Sequence, residues 1–240
     1  MANTIGYGQA AVNNTIGYGQ GAKEGSSFSN LKSIELDGVD DYVDTATIDI
    51  GSTNSISFWM KRSTLDNGVV LGDVNASPKY AIWLDSSNNL YFKLGNNNAG
   101  FAQLNSSLFS DGNWHHHCLS RNGIAVNYYI DAVLQTISVN TLNAATGTTS
   151  TIQKIGIRTD LQRPLNASLD EVALFNTNLS ASDVTDIYNS GVPASLSSYS
   201  SLVSWWRCGD SDTAPTLTDN KGSNDGTMTN FSTFSTDVPT

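Results

Sequence analysis

The sequence predicts an all-β protein built as a sandwich of antiparallel sheets. Charged residues make up only 14% of the 240 residues, while Ser, Thr, Asn and Gly are abundant, a composition that favours strands joined by polar turns. Short apolar segments with alternating side chains recur between turn residues, as in sandwiches and barrels. Because 39% of the residues are hydrophobic, the chain can bury one sizeable core.

The predicted strands begin after Ser33. Ile34 and Leu36 point to one side, Asp37-Gly38 gives a turn signal, and Tyr42-Val43 resumes the alternation. In 55–60, Ile56, Phe58 and Met60 share one face while Trp59 lies on the other, which predicts a strand covered on both sides. Further predicted strands are Val69–Leu71, Tyr80–Leu84, Leu90–Leu94, Trp114–Ser120, Val126–Ile130, Gln135–Val139, Ile152–Ile157, Leu169–Phe175 and Leu202–Trp206.

One helix interrupts this pattern. Ser180 and Asp183 have the spacing of a capping box, with Ser180 as the N-cap. Val184, Ile187 and Tyr188 follow at helical spacing, and Gly191 then Pro193 are typical of the end of a helix.

An arm over residues 1–28 precedes the predicted sandwich of 29–240. The heptapeptide Asn-Thr-Ile-Gly-Tyr-Gly-Gln occurs at residues 3–9 and again, unchanged, at 14–20. Such a Gly- and Asn-rich repeat buries little apolar surface itself, so we expect it to dock onto a partner protein. The residues predicted to anchor it are Ile5, Tyr7, Gln9, Ile16, Tyr18 and Gln20.

Charge and hydropathy exclude several classes of partner. Twelve basic against 22 acidic residues give a net charge of −10, which argues against nucleic-acid binding. The sequence lacks a run of about 18 apolar residues, so no membrane span is expected. The N-terminus has neither the basic nor the apolar region of a secretory signal.

Two cysteines, Cys118 and Cys208, are too few for a disulfide framework and favour buried thiols over a bridge.

Five motifs in order resemble the laminin-G-like or pentraxin-like jelly roll, a concanavalin A-type sandwich. The resemblance covers roughly residues 30–192. The matching segments are residues 33–43 (Ser-Ile-Glu-Leu-Asp-Gly-Val-Asp-Asp-Tyr-Val), 55–61, 111–116 (Asp-Gly-Asn-Trp-His-His), 127–131 and 168–175 with the helix that follows.

The C-terminal region departs from the usual order of these motifs. Residues 202–207 and 219–227 resemble the opening strand and loop that usually precede the Asp-Gly-Val-Asp-Asp motif. The resemblance therefore implies a circular permutation, in which residues 200–240 supply a closing strand and loop.

Two groups of residues are candidate binding sites. Asp37, Asp40, Asp41 and Asp170 are candidate ligands of Ca²⁺, which some relatives bind near strand ends; turn chemistry and strand-end hydrogen bonds are the structural alternative. Trp205 and Trp206 are neighbours on one strand and point to opposite faces, so we expect one of them to be exposed to a glycan or a second subunit.

The sequence shows no catalytic constellation. All three histidines, His115, His116 and His117, lie in one strand, where packing and hydrogen bonding are favoured over metal binding. Cys118 and His117 are strand neighbours that face opposite ways, which argues against a Cys-His mechanism. We therefore expect no enzyme.

Short Gly- and Gln-rich arms before such sandwiches resemble those of tailed-bacteriophage virion proteins. The resemblance implies a structural protein that assembles in the host cytoplasm and is displayed on the virion surface. Its expected partner is a capsid or tail protein, and a glycan or a second copy of the chain are further partners left open. The alternatives are a bacterial surface lectin and a non-catalytic module of a carbohydrate-active enzyme.

Overall fold

The computed structural model describes residues 28–74, 81–93, 100–142 and 150–240. The strands in these ranges are β1 (Ile34–Asp37), β2 (Tyr42–Asp49), β3 (Thr53–Lys61), β4 (Gly68–Asp73), β5 (Ile82–Leu84), β6 (Asn89–Phe92), β7 (Ala102–Asn105), β8 (Trp114–Asn122), β9 (Ala125–Ile130), β10 (Val133–Leu134), β11 (Val139–Asn140), β12 (Thr151–Ile155), β13 (Asn166–Phe175), β14 (Leu202–Trp206), β15 (Thr216–Leu217) and β16 (Gly226–Thr229). Two antiparallel sheets and one short helix confirm the predicted fold class.

The strands of the described ranges form a seven-stranded and a nine-stranded sheet. The first has the order β1-β13-β3-β8-β9-β10, with β14 added to β13. The second has the order β11-β7-β6-β5-β4-β12-β2-β16-β15. Apolar side chains on the facing sides of the two sheets form the main core, where Phe58 and Leu119 of one sheet join Val43 and Leu90 of the other. This arrangement is a jelly-roll sandwich.

The helix α1 (Ala181–Tyr188) covers the outer face of the seven-stranded sheet. The Ser180 hydroxyl accepts from the Asp183 N–H and the Asp183 carboxylate accepts from the Ser180 N–H, which confirms the predicted capping box. The helix ends at Tyr188, and its C-cap Asn189, in the left-handed conformation, precedes Gly191 by two residues. Val184 and Ile187 pack into a second apolar cluster with Phe175 and Trp205.

Strand β13 changes its partner halfway. Leu169 and the residues before it pair with β1, whereas Val172 and the residues after it pair with β14. Between these halves the register against β3 shifts and Glu171 takes a left-handed φ of 49°. The bulge places Asp170 and Glu171 at the junction of three strands.

The C-terminal segment contributes to both sheets. Strand β14 extends the first sheet, and β16 pairs with β2 in the second. Ser235 then pairs with Ser33, and the Asp237 carboxylate accepts from Lys61 Nζ at 2.6 Å and from Trp114 Nε1 at 3.0 Å. The tail is an integral part of the sandwich.

The predicted strand Gln135–Val139 is wrong. The two-residue strand β10 ends before this segment and β11 begins only at its last residue, because the chain passes there from one sheet to the other. The predicted double coverage of β3 is confirmed, since Phe58 and Trp59 are both buried.

Cys118 and Cys208 are buried free thiols, as the sequence favoured. Among the described residues, no helix is both long enough and apolar enough to cross a membrane.

Candidate functional site

The outer face of strands β5, β6 and β7 carries half-exposed aromatic rings. In β5 and β6 the flanking residues Ile82, Leu84, Leu90 and Phe92 point into the core, so the alternation turns Trp83 and Tyr91 outward. Phe101, just before β7, and Arg163, from the loop after β12, extend the row on either side. We call Trp83, Tyr91 and Phe101 the aromatic strip, and Arg163 lies over its Trp83 end.

The rings of the aromatic strip stack across neighbouring strands. The centroids of Trp83 and Tyr91 are 4.5 Å apart with an interplanar angle of 20°, and Tyr91 and Phe101 are 5.7 Å apart at 55°. The Arg163 guanidinium lies 4.8 Å from the Trp83 ring centroid. The Trp83 and Tyr91 rings are therefore stacked on each other.

A polar row borders the strip. The Asp85 carboxylate accepts from Asn89 Nδ2 at 2.9 Å and from the Tyr91 hydroxyl at 3.1 Å. Asn105 Nδ2 in turn donates to Asn89 Oδ1 at 3.1 Å. Burial would raise the pKa of Asp85, but the hydrogen bonds from Asn89, Ser87 and Tyr91 outweigh it and hold that pKa below its usual value. The row is thus an ordered set of amide and carboxylate groups beside apolar rings.

Further polar side chains of the same face flank the rings. Gln103 is paired in register with Tyr91 and is half-buried. Lys93 follows Tyr91 by two residues on the same side, and partial burial lowers the pKa of its ammonium. Apolar rings next to directional hydrogen-bonding groups are the chemistry that a sugar ring needs, because its two kinds of surface are apolar C–H groups and hydroxyls.

The tryptophans chosen from the sequence lie elsewhere, and the expectation that one of them is exposed is wrong. Trp206 is 0% exposed in the core and Trp205 is 5% exposed. Trp205 lies under Phe28 and Arg207: the Arg207 guanidinium is 4.4 Å from the Phe28 ring centroid and 5.6 Å from that of Trp205. A cavity of about 420 Å³ beside them is lined also by Ser195 and Ser197. Both faces of β14 are covered, because Phe28, Leu196 and Tyr199 pack on its outer side.

Below Phe28 lies a buried acidic pair, Asp170 and Glu171. Asp170 accepts from Asn30 Nδ2 at 2.8 Å, and Glu171 accepts from Trp205 Nε1 at 2.5 Å and from Arg207 Nε at 3.2 Å. Burial raises the pKa of Glu171 to about 7, even though Arg207 and Trp205 act against that rise. The pKa of Asp170 is raised well above its usual value by burial and by the neighbouring Glu171.

The structure brings together three of the four predicted calcium ligands. Carboxylate oxygens of Asp37, Asp40 and Asp41 lie within 4.8 Å of one another. Two of these carboxylates already accept backbone N–H groups: Asp37 accepts from Val39 and Asp41 accepts from Asp37. Asp170 is not part of the group. Because Ca²⁺ takes six to eight oxygens, these three carboxylates would supply only part of a site. Calcium binding stays a prediction.

The histidine strand is structural. His116 Nε2 is 2.8 Å from the Ser57 hydroxyl, and both residues are buried. Asp131 does not complete a triad, since its carboxylate contacts the His116 backbone N–H and His115 Nδ1, at 2.9 and 2.6 Å. Burial lowers the pKa of His116 to about 4, so the imidazole is neutral at physiological pH. His117 packs between Phe58 and Phe109 in the core.

The predicted anchoring residues Ile5, Tyr7, Gln9, Ile16, Tyr18 and Gln20 lie outside the described residues. Sequence reasoning missed the aromatic strip, although strands were predicted over 80–84 and 90–94. The signal was available, because outward-facing Trp83 and Tyr91 alternate with apolar inward residues.

A model of the laminin G family, within the concanavalin A-like lectin/glucanases superfamily, matches residues 37–185, more than half of the chain. The chain belongs to this family. This confirms the predicted laminin-G-like domain. No curated protein matches the sequence.

Solved structures share the laminin-G-like fold. A Bacteroides ovatus protein named for carbohydrate binding has 14% identity and a TM-score of 0.63, over 88% of this chain and 62% of its own. A SAP-like pentraxin from Limulus polyphemus has 14% identity and a TM-score of 0.51, over 66% of this chain and 82% of its own. The laminin-G-like chain thus spans less than two thirds of the first of these structures. At such identity the likeness shows the fold alone.

Proposed function

We propose that this laminin-G-like chain is a non-catalytic carbohydrate-binding protein and that the aromatic strip holds the glycan. The observation that carries the proposal is the half-exposed row of Trp83, Tyr91 and Phe101 beside the amide and carboxylate groups of Asp85 and Asn89. The name of the Bacteroides ovatus structure supports it, since that protein has the same fold.

The chemistry of the strip suits reversible binding. The Tyr91 hydroxyl and the amides of Asn105 and Gln103 offer donors and acceptors to sugar hydroxyls, while the rings offer apolar area. The strip crosses three neighbouring strands, which are about 4.8 Å apart, so an elongated oligosaccharide is a better fit than a single small sugar.

A glycan array tests this proposal with a matched pair of variants. Trp83→Ala removes the centre of the strip, whereas Trp114→Ala removes a half-buried indole from the opposite sheet, where it contacts Asp237. We expect binding to fall at least about tenfold in Trp83→Ala and to persist in Trp114→Ala. Equal binding by both variants, or an array without signal for the unaltered chain, contradicts the proposal.

For the setting of this activity we propose the surface of a tailed-phage virion, with residues 1–28 as the anchor. The duplicated heptapeptide supports this, because two linked contacts gain avidity through effective concentration. Phe28 itself packs on Arg207, so the test is a variant lacking residues 1–27. We expect it to fold normally and to be absent from purified virions in electron micrographs. Absence of the full-length chain from virions would instead favour a bacterial surface lectin.

A further inference from the structure

Arg163 is placed over the aromatic strip by an unusual backbone. Its φ is 57°, in the left-handed region that side chains other than glycine rarely adopt. Leu161, two residues earlier, also has a left-handed φ, of 60°. The Arg163 carbonyl accepts from the Val69 N–H at 3.1 Å, which ties this loop to β4. Strained residues of this kind persist where surrounding contacts hold them, and they concentrate at functional sites.

Arg163 is also distinguished by its partners. Arg62, Arg158 and Arg207 each form an ion pair with a carboxylate, to Asp66, Asp160 and Glu171 respectively. Arg163 is exposed and forms no ion pair with any residue in the described ranges. Its guanidinium contacts the Trp83 ring instead, and its donors are left to solvent or to a ligand.

Two charged groups beside the strip, Arg163 and Asp85, differ in what they leave open to a ligand. The carboxylate of this face, Asp85, is engaged by Ser87, Asn89 and Tyr91. Its oxygens are thus occupied by donors of the protein, whereas the Arg163 guanidinium keeps its donors open on this face.

We propose that the aromatic strip binds acidic sugars, with Arg163 as the residue that recognises their carboxylate or sulfate. The inference rests on the proposed carbohydrate-binding function and specifies its ligand class. A guanidinium offers paired donors that match both anions, and its stacking on Trp83 fixes their direction.

The net charge of −10 does not oppose this ligand class. Charges separated by more than about 8 Å are largely screened at physiological ionic strength, so the groups nearest the ligand decide its preference. Arg163 is a single local cation on an acidic protein, and the overall negative charge limits nonspecific attraction of polyanions.

An array that pairs acidic oligosaccharides with neutral counterparts tests the proposal. It contains uronate, sialate and sulfated oligosaccharides, each beside its methyl-esterified or desulfated form. We expect at least about tenfold stronger binding of the charged forms, since hydrogen bonds to charged groups are roughly twice as strong as neutral ones. Their advantage should fall as salt is raised.

Variants of one loop then assign the effect to Arg163. Arg163→Gly removes the guanidinium and suits the left-handed φ, so its thermal stability should be equal to or above that of the unaltered chain. Its preference for charged glycans should disappear while binding of neutral glycans remains. Arg158→Gln, which breaks the pair with Asp160 on the same loop, should keep the preference.

The outcomes separate the two proposals. Binding of neutral and acidic glycans with equal strength overturns the acidic preference and leaves the carbohydrate-binding function intact. Loss of the preference in Arg158→Gln but not in Arg163→Gly overturns the assignment to Arg163. An array without any signal overturns both proposals.

Discussion

The outer faces of the two sheets have similar residues but different surroundings. On the seven-stranded sheet, Trp59 and Trp205 are 3% and 5% exposed, under α1 and the segment that begins at Phe28. On the nine-stranded sheet, Trp83 and Tyr91 keep part of their surface in solvent. Outward-facing aromatic residues therefore do not by themselves mark a binding site, because what the rest of the chain places over them decides their role.

The outer face of the seven-stranded sheet, under α1 and Phe28, is the covered face, and it also holds buried carboxylates whose pKa values are raised. Asp170, Glu171 and Asp210 are buried there with Arg207, whereas Asp85 on the open face is partly exposed and well supplied with donors. We infer that the covered face stabilises the sandwich and that the open face is available for a ligand. Changes to single segments and residues test this division, from the largest expected effect to the smallest.

Removing residues 200–240 should abolish folding. The deletion takes β14 from the edge of β13 and β16 from the edge of β2, and it removes the buried Trp206. We expect an insoluble chain with open strand edges, measured by sedimentation and circular dichroism. The matched deletion of residues 1–27 should give a soluble chain with one cooperative unfolding transition. Soluble, cooperative folding of the chain without 200–240 contradicts this role of the tail.

Arg207→Met should lower the free energy of unfolding by about 3–5 kcal/mol, because it leaves Glu171 and Asp210 buried without their cation. It also removes the guanidinium between Phe28 and Trp205. The control Arg158→Met breaks an ion pair with a half-exposed partner and should cost less than about 1 kcal/mol. Urea unfolding of both variants gives the comparison, and equal losses would argue against a stabilising role of the covered face.

The stability of the covered face should fall as pH rises through neutrality. The pKa of Glu171 is raised from 4.5 to about 7, so its favourable contribution is complete below pH 4.5 and is lost as pH rises through 7. His115, whose pKa is raised chiefly by its hydrogen bond to Asp131, titrates in the same direction. The informative measurement is therefore the difference between the unaltered chain and Glu171→Gln.

Urea unfolding of both chains from pH 4.5 to 8 gives that difference. We expect the unaltered chain to lose stability relative to Glu171→Gln by on the order of 2 kcal/mol across this range. Parallel curves for the two chains would show that Glu171 is ionised at low pH in the folded state, contrary to the account given above.

The smallest expected changes in stability come from His116 and His117, which lie on opposite faces of β8. His117 is fully buried between aromatic rings, and neither of its nitrogens has a hydrogen-bond partner among the described residues. His117→Phe should therefore raise the free energy of unfolding by about 1 kcal/mol. His116→Phe should lower it, because Ser57 loses a hydrogen-bond partner. Thermal unfolding of both variants measures these shifts, and destabilisation by His117→Phe would indicate a bound water that both nitrogens need.

Most of the fold could be predicted from local patterns, whereas which outward-facing aromatic residues stay exposed could not. The alternation in 55–60 and the cap at Ser180 and Asp183 are local, and the structure confirms both. The short strands β15 and β16 were missed, because two to four residues in a loop carry little periodicity. Burial of Trp205 depends on Phe28, which lies far away in the sequence, and no local pattern records such a contact.

The most direct test is to locate a bound oligosaccharide by NMR titration of the folded chain. An acidic oligosaccharide that binds on the array is added, and the shifts of the five indole N–H signals are followed, with Arg163→Gly as the matched variant. We expect the Trp83 signal to move most, and about tenfold more oligosaccharide to be needed for the same shift in Arg163→Gly. Shifts confined to Trp205, beside the cavity at Phe28, would place the ligand on the covered face and contradict the central claim.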